Sequence, residues 1–407
     1  MSRRDQDYAL QPVPLAARLS TVASVLVWAS LTLDPSAPYL AMWWASSFGL
    51  ATLTAAVLLA NLVLSVFSSL SAYIASREGV TYALAAENVF GTRGVVIPSL
   101  WAGFVAVGWL AFSIGVVADT LSGILGSGPT AYYALAAALT LLFSTTAYMG
   151  IRHIARLAYV GVPTLAVMIL LGVVLSVQRF GAPPLGTPSL GSLPLAATLV
   201  LGTFVNGAIT LSFDYQRFCR SPRDASIVSF ANFLGFWSFV ILFTALPAAA
   251  SGKDLIATYS ALGLAPLAAF TLFLLAWTSA DNQLYSSSLS WSVAARALRK
   301  PVDRRSLVLV GAAVTILLSF TRLHTFAVQW LSLMTVVSLP AGIVVWTDYY
   351  IVRRGWGSGT GVNIPGFLAW FVGSVTIYAL LGTWYGTLLG FLATFLTYIA
   401  LAWVGRG

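Results

Sequence analysis

Charge is scarce in this chain. Of 407 residues, 8% are Asp, Glu, Lys or Arg, 59% are hydrophobic, and the mean hydropathy is +0.88. A water-soluble domain has about a quarter of its residues charged, so a soluble globular protein is excluded. A single cysteine, Cys219, excludes an internal disulfide. The two histidines, His153 and His324, leave no His/Cys cluster at metal-ligand spacing. The N-terminal stretch MSRRDQDYALQPVPLAARLS is polar and lacks the apolar core and small-residue cleavage site of a removable signal peptide. Long polar segments are missing too, so one integral membrane domain is expected over 1–407, with nothing soluble of any size attached.

What is present is a succession of apolar runs, each near the length of about 20 residues that crosses a hydrocarbon core of about 30 Å. Spans are expected at 20–46, 50–75, 95–121, 131–150, 157–178, 193–215, 226–249, 264–291, 306–321, 325–351, 366–383 and 385–404. This predicts an all-α integral membrane fold of twelve transmembrane helices behind a cytoplasmic tail, 1–19. Ten helices plus a terminal pair accommodates a five-plus-five inverted repeat, 20–178 and 193–351, followed by two C-terminal helices, 366–404. The first and sixth spans carry matching irregularities, Leu33-Asp34-Pro35-Ser36-Ala37-Pro38 and Gly202-Thr203-Phe204-Val205-Asn206-Gly207, and both helices are expected to be broken there. An ordinary external turn at Asp34–Pro38 would leave 39–75 as one helix of about 55 Å. A bilayer does not tolerate that length even with tilt, which favours the break in the first span.

Threaded from a cytoplasmic N-terminus, these spans leave only Arg179, Lys253 and Arg322 of the 21 basic residues outside. The positive-inside rule then sets the orientation, with both termini cytoplasmic in the inner membrane. The formal net charge of +9 is accounted for by topology, with the lipid bilayer as partner and no nucleic acid.

Three acids fall inside spans: Asp34, Asp119 and Asp281. Such residues usually mark a pathway, because an acid in hydrocarbon is costly unless paired, wetted or protonated. Asp119 lies about 15 Å beyond Trp109 along the third span, which places it near the outer interface, simply solvated. The eighth span carries Thr278-Ser279-Ala280-Asp281-Asn282-Gln283 in its middle. Hydrogen bonding between helices accounts for one or two hydroxyls, but not for an Asp-Asn pair beside them. Hard monovalent cations take oxygen ligands, which Thr278 and Ser279 would supply opposite the freed carbonyls of a broken first span near Leu33. Trp109 and Phe204, ordinary packing aromatics if taken alone, suggest beside these features a slot for a flat ligand. Asp214-Tyr215-Gln216-Arg217-Phe218 and Asp348-Tyr349-Tyr350 read as interfacial ion pairs with tyrosine anchors. Asp34 has two readings: a cap on the half-helix after Pro35, or a group that receives N–H donors or a cationic ligand.

Pro12-Val13-Pro14, Ala60-Asn61-Leu62, Pro98-Ser99-Leu100 with Gly108-Trp109, Asp214 to Phe218 and Trp277 to Tyr285, followed by Pro340 and Asp348-Tyr349, occur in the order and spacing of the nucleobase–cation symporter family. Over nearly its whole length the chain resembles that family, and within it the bacterial cytosine permeases. The resemblance implies a five-plus-five transporter in which a planar heterocycle lies between Trp109 and Phe204. Asn206, Asp281 and Asn282 join the substrate-binding set. Sodium would be held by Thr278, Ser279 and carbonyls near Leu33. The chain departs from the cytosine permeases at Ala106, where they carry glutamine, at Ala280, where they carry asparagine, and at Asp34, where they are apolar. A site that loses amide groups changes its ligand preference sharply, which speaks against cytosine itself. The sixth span also carries one extra residue between Gly207 and Asp214. The expected function is cation-coupled import of a nucleobase or related small heterocycle, with sodium, or alternatively a proton, as the coupling ion. A polytopic membrane enzyme acting on a lipid or prenyl substrate is the alternative, disfavoured because Asp214, Asp224 and Asp348 are single acids with no histidine at an intramembrane acid. A passive channel is disfavoured by a polar site confined to mid-span. The particular base and the oligomeric state are left open.

Overall fold

The computed structural model describes residues 7–404 other than 127, 358 and 384, and among the described residues every regular element is helical. Arg3, Arg4 and Arg406 of the charge count lie outside the described residues. Ser20 caps α1 (Thr21–Thr32) by accepting from the Ala23 N–H at 3.3 Å. The helix stops at Leu33 because Pro35 offers no N–H to the carbonyl of Leu31, and α2 (Ser36–Phe48) restarts beyond it. Gly49, at φ +75°, turns the chain into α3 (Leu50–Glu78), a conformation that glycine adopts without a Cβ penalty. There follow α4 (Tyr82–Phe90), α5 (Val96–Ile124), α6 (Pro129–Met149), α7 (Ile151–Phe180) and α8 (Leu193–Asn206). A π-helical turn, Gly207–Leu211, joins α8 to α9 (Ser212–Gln216), and a second, Ala231–Trp237, joins α10 (Pro222–Phe230) to α11 (Ser238–Ser251). The chain ends with α12 (Leu255–Ala261), α13 (Ala265–Ala297), α14 (Arg304–Phe320), α15 (Ala327–Thr347) with a π turn at Asp348–Val352, α16 (Ile364–Ala379) and α17 (Gly386–Val404).

Eight helical stretches among the described residues are long and apolar enough to cross a membrane, which makes this a multi-pass membrane protein. The first span is interrupted where the sequence predicts. The sixth is not broken: α8, the π turn and α9 run on as one rod, and the expectation of an unwound sixth helix is corrected. A π turn closes each hydrogen bond one residue further along the chain than an α turn, so it absorbs the extra residue between Gly207 and Asp214 without a coil. The short helices α4 and α12 are also additions to the expected spans.

Two packing groups organise the chain. In one, α5 lies along α13 and both contact α6 and α14. In the other, α3 packs on α8, α9 and α10, while α2 lies on α11. The α5 helix approaches its neighbours closely through small residues: a Cβ at Gly108 would come within 2.2 Å of the Trp330 ring on α15. Small residues at such crossings let side chains from a second helix lie against the backbone.

At one end of the molecule the segment before α1 ties the groups together. Arg217, fully buried just after α9, donates to the carbonyl oxygens of Tyr8 (2.7 Å) and Asp7 (2.6 Å). The Asp7 carboxylate pairs with Arg304 of α14 at 3.0 Å and accepts from the Ile151 N–H.

Candidate functional site

The interruption of the first span creates the polar centre. Pro35 has no N–H, and the Ser36 N–H turns to Asp34 Oδ1 at 2.8 Å. The carbonyls of Leu31 and Thr32 thereby lose their helical donors four residues on. Asp34 is 6% exposed. Beyond Ser36, its carboxylate accepts from Ser113 Oγ of α5 (2.9 and 3.1 Å to its two oxygens) and from Ser279 Oγ of α13 (2.5 Å). Asp34 therefore both caps α2 and collects donors from two other helices.

Beside it lies a cavity with about 370 Å³ of empty space, its mouth included. Trp109 of α5, Phe204 of α8 and Trp237 form aromatic wall. Asp34, Ser36, Thr203, Asn206 and Gln283 are the polar lining, and Leu31, Gly207 and Leu211 complete it. Phe204 is backed by Trp237 (centroids 4.9 Å apart), Phe233 (5.5 Å) and Trp28 (6.4 Å), all edge-on, which holds the ring in place.

The structure thus brings Asp34, Trp109, Phe204 and Asn206 to one cavity and places the other expected substrate residues elsewhere. Asn282 faces α1, its Nδ2 donating to Ser30 Oγ at 3.0 Å. Asp281 is fully buried beside it, accepts from Asn282 and faces Thr146 of α6. Ala106 is buried in α5 away from the cavity lining. Of the candidate sodium ligands, Ser279 lies at the break. Thr278 donates to the carbonyls of Leu274 and Leu275 in its own helix and turns its methyl toward Gly161 of α7. Ser279 Oγ, the Asp34 carboxylate and the released carbonyls next to Leu33 are all oxygens, the donor type a hard monovalent cation takes.

Ser36, Ser113, Thr203, Trp237 and Gln283 were not singled out from the sequence. Gln283 ends the polar run of the eighth span, and that run was its only signal. Trp237 closes a π segment, which composition does not reveal. Two other readings are corrected. Asp119 is partly exposed, as expected, but is not simply solvated: it pairs with Arg322 and with His324 Nε2 at 2.7 Å. Asp214 forms no interfacial ion pair: it is fully buried and accepts from Ser286 and the Tyr82 N–H, while Arg217 reaches only its backbone carbonyl. Asp348 does pair, with Arg353 at 3.2 Å, and accepts from Tyr398.

A multi-pass helical protein with an aromatic-walled cavity beside an interrupted helix has the build of a carrier for a small solute. Residues 36–404 match the family of permeases for cytosine/purines, uracil, thiamine and allantoin, and the chain belongs to that family. It is 29% identical over 360 residues to the cytosine permeases of Escherichia coli K12 and O157:H7, covering 86% of this chain and 83% of each relative. In fold it is similar to Mhp1, a nucleobase-cation-symport-1 family transporter, in a closed conformation with bromovinylhydantoin bound (TM-score 0.79, 17% identity, 100% of this chain and 96% of that one). The fold also matches the inward-facing conformation of Mhp1 (TM-score 0.78, 18% identity, 97% and 93%) and a Na+-coupled sialic acid symporter (TM-score 0.68, 14% identity, 99% and 92%). The protein is a permease, and the alternative of a membrane enzyme falls away.

Proposed function

We propose that this permease imports a nucleobase or related planar heterocycle together with a cation, and that the cavity at Trp109, Phe204, Asn206 and Asp34 is its substrate site. The observation that carries this is the meeting of aromatic rings with the Asp34 centre at the break in the first span. Rings of this kind bind a flat solute by stacking, worth about 1–3 kcal/mol per base. In this reading the chain crosses the inner membrane twelve times with both termini inside. Residues 20–178 and 193–351 are inverted repeats, and 366–404 is an added pair. Sodium binds at Ser279 with carbonyls near Leu33 and with Thr278 on the α7 side. A proton carried by Asp34 or Asp281 is the alternative coupling. Each charge entering down 100 mV of membrane potential supplies about 2.3 kcal/mol. Asn282 and Asp281 then act from behind the site, through α1 and α6, and Ala106 marks an amide that this cavity does without.

The test is uptake of a panel of labelled bases and heterocycles into vesicles containing the purified protein, with and without a sodium gradient and with a pH gradient alone. Accumulation of at least one planar ring that depends on either gradient is the expected result. Equilibration without accumulation under both gradients would mean a facilitator instead.

A further inference from the structure

Among the described residues, Asp34 is the only ionisable side chain lining the cavity. None of the ion pairs among the described residues includes it. Its partners are a backbone N–H and two serine hydroxyls, drawn from α2, α5 and α13, and all are neutral. A buried carboxylate held only by neutral donors lacks its counter-charge, and an unpaired buried charge is strongly unfavourable. A coupling cation at Ser279 and the occupant of the cavity are the two groups placed to supply that charge.

The rest of the lining says what kind of cation. Trp109 and Trp237 border the same space, and indole faces attract organic cations through their negative π-clouds. The amides of Asn206 and Gln283 are almost wholly buried, and their side-chain oxygens have no hydrogen-bond partner. Both residues line the cavity, so acceptors for N–H groups are available on more than one side of it. A bare inorganic ion would use the carboxylate and leave the amides idle. A flat ring bearing charge and several N–H groups uses the carboxylate, the amides and the indole faces together.

Resting on the heterocycle-carrier reading above, we infer that the substrate is a positively charged planar heterocycle of the aminoazolium or amidinium type. Its N–H edge meets Asp34 and its face lies on Trp109. Asp34 is then the residue that separates this permease from carriers of neutral bases.

The experiment is a binding titration on the detergent-purified full chain with rings matched in shape but not in charge. One arm uses 2-aminoimidazolium and 4-aminopyridinium; the other uses imidazol-2-one, cytosine and uracil. The best cation is expected to bind about tenfold or more tighter than the best neutral ring, the size of a charge-assisted hydrogen bond in a buried site. In Asp34→Asn that preference is expected to vanish. The wild-type comparison decides alone should the variant not fold: equal affinity, or a neutral ring bound more tightly, overturns the charge assignment while leaving the heterocycle site standing. Binding of no ring from either arm overturns the heterocycle site as well. An Asp34→Asn protein that keeps the preference for cations but loses sodium stimulation assigns Asp34 to the coupling ion and also overturns the inference.

Discussion

The Ser279 hydroxyl donates to Asp34 Oδ2 at 2.5 Å, joining the middle of α13 to the point where the first span is interrupted. A second link, from Asn282 Nδ2 to Ser30 Oγ at 3.0 Å, lies nearby on the same pair of elements. Since α13 belongs to the packing group around α5 and α14, these bonds connect that group to the irregular first span at the depth of the cavity. Any relative movement of the two has to rearrange them.

Replacing Ser279 by Ala removes the hydroxyl at the break, and Thr278→Val removes the one bonded within α13. Both variants are expected to weaken sodium-stimulated binding by about tenfold, as for loss of a hydrogen bond to a charged group, and to alter the order of preferred rings less. Unchanged sodium dependence in both would remove α13 from the ion site. If uptake ignores sodium and follows a pH gradient, the same pair of variants should leave coupling intact.

Trp109→Ala is expected to lose ligand affinity by about 1–3 kcal/mol, the contribution of stacking on one aromatic ring. Trp109→Phe should retain part of it. The check is a binding isotherm on protein of normal thermal stability. Wild-type affinity in the alanine variant would make Trp109 a packing residue, and the same comparison applies at Phe204.

Gly108→Ala places a methyl 2.2 Å from the Trp330 ring. Overpacking of this kind costs about 1–3 kcal/mol, so the melting temperature should fall. Trp330→Ala in the same chain should recover part of that loss, giving a coupling energy in a double-mutant cycle. Additive effects would show that α5 and α15 do not touch there.

Cys219, the one cysteine, is a built-in reporter of the end where Asp7 and Arg304 pair. It is fully buried, and burial pushes its thiol well above the usual range, so labelling at neutral pH waits for local opening. Asp7→Asn weakens a partly buried pair worth about 1 kcal/mol, and maleimide labelling of Cys219 is expected to speed up roughly fivefold. An unchanged rate would detach the N-terminal segment from the opening of this end.

Much of this architecture was legible because a bilayer leaves so few options. Apolar run length alone showed a multi-pass helical membrane protein, and the impossibility of one long rod over 39–75 located the interruption at Asp34-Pro35. Trp109, Phe204 and Asp34 were found by depth and chemistry, Asn206 came with the family resemblance, and the four share a cavity. What stayed hidden depends on the angular phase of helices. Whether Asn282 or Gln283 reaches the cavity is a matter of about 100° of rotation, and a run of adjacent polar residues does not specify it. Ser113 was invisible for a different reason, since a lone serine in an apolar helix ordinarily bonds its own backbone. Asp119 was misread because its partners, Arg322 and His324, are far away in the chain.

The π turn at Gly207–Leu211 gives this permease a slack link in its sixth rod. Upstream of it Phe204 lines the cavity; downstream Tyr215 donates to the Asn282 carbonyl at 2.5 Å. Within the turn, the Ile209 carbonyl is taken up by Ser71 Oγ of α3 at 3.0 Å. An added residue in an ordinary α-helix would swing one of these two faces about 100° out of phase with the other. Here the surplus is coiled into one wider loop, and each face keeps its aim. Deleting a single residue from this turn is therefore the one change of length that the rod is placed to absorb.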